Sequence, residues 1–255
     1  MNLQKSKLLV NSDNNINNKD NMLPESKIYS NRVILMVGGL GARLKSLTEN
    51  HPKPMLNVGG KPILQTIVEQ FVHYGFTDIT MCVNYKSHVI EDFFGNGNKY
   101  GAEIDYVFEE KRMGTAGALS LLSSIPEEPF FVMNGDLLTN VSFNNMLEHH
   151  IENKAAATMC VREYDFQVPY GVLKIDDGRI TAIEEKPVHK FFINGGIYIL
   201  KPETLKYIPE NNFFDMPQLF QKLLETKSKI SSFPLSEYWL DIGQAEEYKQ
   251  ANIGY

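Results

Sequence analysis

The chain has 255 residues, a hydrophobic share of 43% and a formal net charge of −6. That length suits one domain with a short appendage, and that composition suits a sizeable globular core. The acidic balance excludes a general nucleic-acid binder, which needs a broad basic face to release counterions. An anionic ligand must instead be met by a local cluster of cations in an acidic body.

No apolar run reaches the roughly 20 residues that span a bilayer, and Leu8-Leu9-Val10 is too short for a signal-peptide core. Membrane association is therefore not expected, and a cytoplasmic location is. Cys82 and Cys160 each lie in an apolar, strand-like run and read as buried free thiols.

Residues 1–31 carry eight asparagines and almost no apolar periodicity, which reads as a flexible tail or linker. From residue 32 to 255 strand and helix patterns alternate within one domain. Val33–Val37 is an apolar strand, and Ile63, Leu64, Ile67, Val68, Phe71 and Val72 share one helix face that ends near Gly75. A strand over 78–84, a short helix near 89–94 and a strand over 104–108 follow. A helix is expected over 114–125 and an apolar strand over 130–133.

This βα alternation predicts an α/β fold with a buried, largely parallel sheet and helices on both faces. The second half changes character. Strands near 170–175 and 180–185 flank Asp177-Gly178, a hairpin signal. A strand over 191–200, an amphipathic helix over 214–224 and a strand over 237–242 complete the chain. Antiparallel additions of this kind build a small second lobe over a ligand.

The most informative stretch is Val37-Gly38-Gly39-Leu40-Gly41-Ala42-Arg43, followed by Pro52-Lys53-Pro54. Glycines lacking Cβ let successive amides turn toward one point where a phosphate chain can sit. Arg43 adds a planar fork of donors and Lys53 a movable point charge. The spacing is neither the dinucleotide-binding G-x-G-x-x-G nor a P-loop.

Asp136, in Asn134-Gly135-Asp136, follows a buried strand, where open α/β sheets bind ligands. It reads as a Mg²⁺ ligand or as a turn residue. Asp241, in Trp239-Leu240-Asp241, reads equally as a second Mg²⁺ ligand or as the cap of a following helix. Gly114 and Thr115 open a small-residue segment suited to a base or ribose, and Thr115 could also cap its helix. Glu184-Glu185-Lys186-Pro187 is by default a solvated surface group. His149 and His150 read as solvated on a polar helix.

Together these segments resemble the sugar nucleotidylyltransferases across 32–255. The motifs are Gly38–Arg43, Pro52-Lys53-Pro54, Gly114-Thr115-Ala116-Gly117, Asn134-Gly135-Asp136, Tyr170-Gly171-Val172, Glu184–Pro187, Asn194-Gly195-Gly196 and Trp239-Leu240-Asp241. The resemblance implies a three-layer, Rossmann-like fold with a mixed, mainly parallel sheet and a small antiparallel sugar-binding lobe. It implies that Gly38, Gly39, Gly41, Arg43, Lys53, Gly114 and Thr115 bind a nucleoside triphosphate. Gly171, Glu185, Lys186, Asn194 and Gly196 would line the sugar pocket, Asp136 and Asp241 would bind Mg²⁺, and Arg43, Lys53, Asp136 and Lys186 would carry the catalysis.

Within that family the chain is most similar to bacterial guanylyltransferases acting on hexose 1-phosphates. GTP and a hexose 1-phosphate of the glucosamine or mannose type, glucosamine 1-phosphate first, are the substrates this implies, for surface or flagellin glycan synthesis. Members of that branch often carry an upstream regulatory domain, and the Asn-rich segment is either a native tail or the remnant of a linker to such a domain. A homo-oligomer stays open.

Three positions depart from the family pattern: Ala42 for threonine, Val37 for alanine and Gly195 for alanine. Two rival readings remain at this point. One is a catalytically idle nucleotide-sugar-binding subunit, and the other a uridylyl-, thymidylyl- or cytidylyltransferase of the same fold.

Overall fold

The computed structural model describes residues 27–254 apart from Leu40 and Asn50. Strand β1 (Val33–Met36) runs into the glycine loop and two 3-10 turns, over Ala42–Leu47 and Lys53–Met55. A small hairpin, β2 (Asn57–Val58) and β3 (Lys61–Pro62), leads to helix α1 (Ile63–His73). Then come β4 (Asp78–Val83), α2 (Ser87–Phe94), β5 (Glu103–Phe108) and the short α3 (Gly114–Gly117). β6 (Phe130–Asn134), β7 (Leu137–Thr139) and α4 (Phe143–Glu152) complete the first half. The second half holds β8 (Ala157–Gln167), β9 (Gly171–Asp176), β10 (Arg179–Glu185) and β11 (Val188–Leu200). It closes with α5 (Met216–Glu225), β12 (Ile230–Pro234), β13 (Trp239–Asp241) and α6 (Ala245–Gly254).

Seven strands form one sheet in the order β12-β8-β11-β6-β1-β4-β5. β11 alone is reversed, antiparallel to both β6 and β8, while the other neighbours pair in parallel. The expected mixed, mainly parallel sheet is therefore present. Both its faces are covered, as the continuous apolar pattern of β1 requires. Val33 and Leu35 join Phe71 of α1, Ile90 of α2 and Phe143 of α4 on one side, while Ile34 joins Met216 and Phe220 of α5 on the other. Three layers result.

β8 and β11 run on beyond the sheet as a two-stranded ribbon, prolonged by β9 and β10. Asp177 (φ +46°) and Gly178 (φ +73°) make its turn, as an Asp-Gly hairpin should. The outer ribbon is exposed, and it includes Ile175, Ile180, Ile183 and Phe192.

Several expectations are corrected. The helix expected over 114–125 is only α3 and one 3-10 turn over Ala118–Leu121, with Leu122 already extended. Arg32 draws the next segment away by donating to the Ser124 carbonyl and hydroxyl, at 3.2 and 3.0 Å. The tail expected over 1–31 lies outside the described residues as far as residue 26. Residues 27–31 belong to the domain: Tyr29 bridges to Phe76 and stacks on its ring, and Asn31 donates to the Pro129 carbonyl. β12 escaped the pattern because Ser231, Ser232 and Pro234 break its hydrophobicity, and as an edge strand it tolerates them.

Both cysteines are buried and free, and burial pushes the Cys160 thiol up to about 12. Among the described residues no helix is long and apolar enough to cross a membrane.

The histidine pair also differs from expectation. α4 buries one side against β8 and β12, so His150 is fully buried and its Nδ1 bonds the Thr158 hydroxyl at 2.8 Å. His149 reaches the Ser231 hydroxyl. Burial, with Lys201 and His149 nearby, lowers the His150 pKa to about 4. An unfolded histidine titrates near 6.5, so this stability is complete above about 6.5 and is lost as pH falls toward 4. Urea unfolding at a series of pH values should show about 1.4 kcal/mol lost per pH unit across that window. His150→Gln should flatten this dependence; an unchanged slope would show that His150 is not its source.

Candidate active site

The carboxyl ends of β1, β4 and β6 lie side by side, because Met36 is in register with Cys82 and with Asn134. The glycine loop and the Asn134-Gly135-Asp136 turn therefore leave the sheet together, tied by Gly135 N–H to the Met36 carbonyl and Val37 N–H to that of Cys82. This edge is where parallel sheets bind ligands.

β13 completes the arrangement. It pairs antiparallel with β7, placing Asp241 opposite Leu137, and the Ile242 amide donates to the Asp136 carbonyl. Two aspartates a hundred residues apart in sequence are thereby neighbours.

Lys53 stands between them. The turn over Lys53–Met55 is flanked by Pro52 and buries Lys53, Pro54 and Met55. The Lys53 ammonium hydrogen-bonds Asp136 Oδ2 and lies 3.7 Å from Asp241 Oδ1. Burial raises the Asp241 pKa first, then the charge of Asp136, while Lys53 and Arg43 oppose the shift. Arg43 is exposed, yet its guanidinium nitrogens come within 3.6 and 3.7 Å of where a Cβ on Gly243 would sit. It therefore leans over Gly243 toward Asp241. Asp241 Oδ1 and Asn134 Oδ1 are both buried with no hydrogen-bond partner.

The loop glycines do different things. Gly41 has φ +61°, and a Cβ there would press on Thr48 and on Lys53 Cβ. A methyl group on Gly38 would lie 2.6 Å from Glu109 Oε1, whereas Gly39 has open space around it. The side chain of Ala42 lies outside the described set.

Val37 and Gly135 explain one another, since a Cβ on Gly135 would collide with Val37 Cγ1. Gly195 likewise leaves room for the Cys160 carbonyl, 2.9 Å from where its Cβ would be.

The other expected residues divide into two groups. Gly196 (φ +72°) is brought to the site, where a Cβ would lie 2.9 Å from Asn134 Nδ2. Asn194 locks that irregular segment, donating to the Tyr198 hydroxyl at 2.7 Å and accepting from Gly196 N–H at 2.9 Å. Trp239 Nε1 donates to the Gly195 carbonyl and fastens β13 to the same segment.

Gly171, Glu185 and Lys186 lie on the exposed ribbon instead. Gly171 pairs with Glu185, and Lys186 (φ +48°) donates its amide to the Tyr170 carbonyl. Among the described residues no hydrogen bond or ion pair joins these three to Lys53, Asp136 or Asp241.

Gly114 and Thr115 are engaged by the 212–215 segment. Gly114 (φ +80°) allows Asp215 and Phe214 to approach, and the Thr115 amide donates to Asp215 Oδ1 at 2.9 Å. The Thr115 hydroxyl accepts from Met216 N–H at 2.8 Å, so it serves the start of α5.

Glu109 was missed. It follows β5 as Asp136 follows β6, so the strand-end rule could have found it. Its Oε2 accepts from Met113 N–H at 3.1 Å, its Oε1 faces Gly38, and burial raises its pKa.

A glycine-lined turn, a buried lysine and two convergent carboxylates, Asp136 just past the parallel strand β6 and Asp241 closing the antiparallel strand β13, meet at one edge of an α/β sheet. The model of the family described as nucleotidyl transferase matches residues 32–255, and the chain belongs to that family. It is 35% identical over 230 residues to the mannose-1-phosphate guanyltransferase of Yarrowia lipolytica, covering 87% of this chain and 63% of that protein. The Saccharomyces cerevisiae mannose-1-phosphate guanyltransferase is 32% identical over 233 residues, with 87% and 64% covered. The chain thus spans less than two thirds of the length of these relatives.

Among solved structures, HddC from Yersinia pseudotuberculosis superposes with a TM-score of 0.67 at 28% identity, over 88% of this chain and 99% of that one. A Bacillus anthracis protein titled as a glucose-1-phosphate thymidylyltransferase gives a TM-score of 0.71 at 23% identity, over 87% and 94%, and shows the shared fold.

The contact between Val37 and Gly135 can be checked directly. Gly135→Ala should cost about 1–3 kcal/mol in urea unfolding, as overpacking does. The same change in a Val37→Ala background should cost less by about 0.5 kcal/mol or more, through coupling of touching residues. Equal costs in both backgrounds would refute the contact.

Proposed function

We propose that this domain joins a hexose 1-phosphate to GTP, releasing pyrophosphate. The observation that carries this reading is the convergence of Lys53, Asp136 and Asp241 beside the glycine loop, with Arg43 leaning over Gly243. In the reaction an oxygen of the sugar phosphate attacks the α-phosphorus of GTP. The new P–O bond forms as the bond to the β-phosphate oxygen breaks, and pyrophosphate leaves with the electron pair. That nucleophile is already anionic at neutral pH, so the domain needs no strong general base. Its work is to position two repelling anions and to balance charge as pyrophosphate departs.

The loop amides and Arg43 hold the triphosphate, and Lys53 neutralises its oxygens. Asp136 and Asp241 fit a magnesium ion: they are two neighbouring carboxylates, and Asp241 Oδ1 is buried without a hydrogen-bond partner. Mg²⁺ asks for little more, keeping waters and taking phosphate oxygens, and when bound it would supply charge compensation at the transferring phosphate. Glu185 and Lys186 on the ribbon, with Asn194 and Gly196 at its base, are the sugar side of this reading.

GTP is favoured by the guanyltransferase relatives and by the HddC structure complexed with GMP-PN, at 27% identity and a TM-score of 0.67 over 88% of this chain and 99% of that one. Glu109 adds a chemical reason. Its Oε1, facing Gly38, is an acceptor suited to the N1–H and amino donors of guanine. For the sugar, the relatives' names favour mannose 1-phosphate over glucosamine 1-phosphate. The buried free thiols favour the reducing cytoplasm. An idle binding subunit is disfavoured by retention of Lys53, Asp136, Asp241 and Arg43 together.

Pyrophosphate release should be scored with four nucleoside triphosphates against mannose, glucosamine and glucose 1-phosphates. GTP with one hexose 1-phosphate should exceed every other pair, and Glu109→Gln should narrow the preference for GTP. Asp136→Asn should lower turnover by roughly two orders of magnitude or more. Release with no pair, or near-normal turnover of Asp136→Asn, would overturn the reading.

A further inference from the structure

We propose that Lys53 is a resident counter-ion of the two aspartates, occupying with its ammonium the place a divalent cation would take. The cation then enters only with a triphosphate that draws the ammonium away. This rests on the reading of Asp136 and Asp241 as metal ligands.

The geometry carries the inference. The ammonium hydrogen-bonds Asp136 Oδ2 and stands 3.7 Å from Asp241 Oδ1, so it lies between the two oxygens a shared cation would bridge. Magnesium binds carboxylate oxygen at about 2.0–2.1 Å, and an ion on that pair would overlap the ammonium in space and repel it in charge. Both cannot be seated at once.

Lys53 is also built to stay and to move. Pro52 and Pro54 fix the backbone on either side, and the turn is closed by Met55 N–H to the Pro52 carbonyl and Leu56 N–H to that of Lys53. The backbone is held while the four-carbon stem can swing the charge. Without it, two carboxylates would face each other in a half-buried place with Glu247 adding like charge at Asp241. Strand pairing brings the two carboxylates together, and with Asp241 Oδ1 accepting no hydrogen bond there, the ammonium, with Arg43 nearby, is what balances their charge. An arriving triphosphate offers the ammonium several oxygens in exchange and vacates the carboxylates for the ion that travels with the nucleotide. Lys53 is thus a positioning residue before binding and a phosphate ligand afterwards.

The test uses Mn²⁺ alone as probe, followed by its electron paramagnetic resonance signal with nucleotide-free protein. Lys53→Gln keeps a polar tip toward Asp136 while removing the charge, and Lys53→Met serves as the second variant, with folding checked by circular dichroism. Either folded variant should bind one Mn²⁺ per chain at least tenfold more tightly than the unmodified protein, and Lys53→Gln/Asp136→Asn should lose that gain. Affinity equal to or weaker than that of the unmodified protein overturns the counter-ion inference. The metal reading survives that result if Asp241→Asn still weakens Mn²⁺ binding in the presence of a non-hydrolysable GTP analogue. If no aspartate variant changes Mn²⁺ binding with or without the analogue, both fail.

Discussion

Two like charges held close together set the terms for everything at this site. Asp136 and Asp241 come from distant parts of the chain, and their proximity must be built against mutual repulsion and partial desolvation. The raised pKa of Asp241, from burial and from Asp136, is the mark of that opposition. What overcomes it is the sheet. β6 fixes where Asp136 leaves the core, and the pairing of β13 with β7 brings Asp241 beside it. The Lys53 ammonium supplies the balancing charge from a turn whose backbone is held by two prolines.

This arrangement links packing to chemistry through small residues. Gly135 is required because Val37 fills the space its Cβ would need, and Gly196 because Asn134 stands against it. Trp239 bonds the Gly195 carbonyl, so β13 is pinned to β11, the strand that runs out into the exposed ribbon. A disturbance at the base of the ribbon would therefore be felt at Asp241. The ribbon itself is a different kind of element. It is two strands with little behind them, and an isolated two-stranded ribbon is marginal in water.

Much of this was legible in the sequence. The strand–glycine–arginine pattern, the late Pro-Lys-Pro and the strand-end aspartate marked segments that the structure gathers at one edge of the sheet, because strand ends and glycine turns leave local signatures. Asp136 and Asp241 could be named as candidates, but their convergence depends on strand pairing across a hundred residues, which spacing cannot show. His150 illustrates the opposite failure, since a polar-looking helix hid a face buried against β8. Gly114 and Thr115 were read as suited to a base or ribose, with Thr115 also able to cap a helix; the structure adds that Gly114 admits the 212–215 segment and that Thr115 serves the start of α5. Glu109 follows the same strand-end rule as Asp136, one residue beyond β5.

A double-mutant cycle on Asp136→Asn and Asp241→Asn, read as kcat/KM for pyrophosphate release, asks whether the two carboxylates act as one site. Residues that serve a single ion are non-additive. Each single change should cost roughly a hundredfold or more, with the double variant losing little beyond the worse single. Losses that multiply independently, or a single variant near full activity, would contradict a shared metal between Asp136 and Asp241.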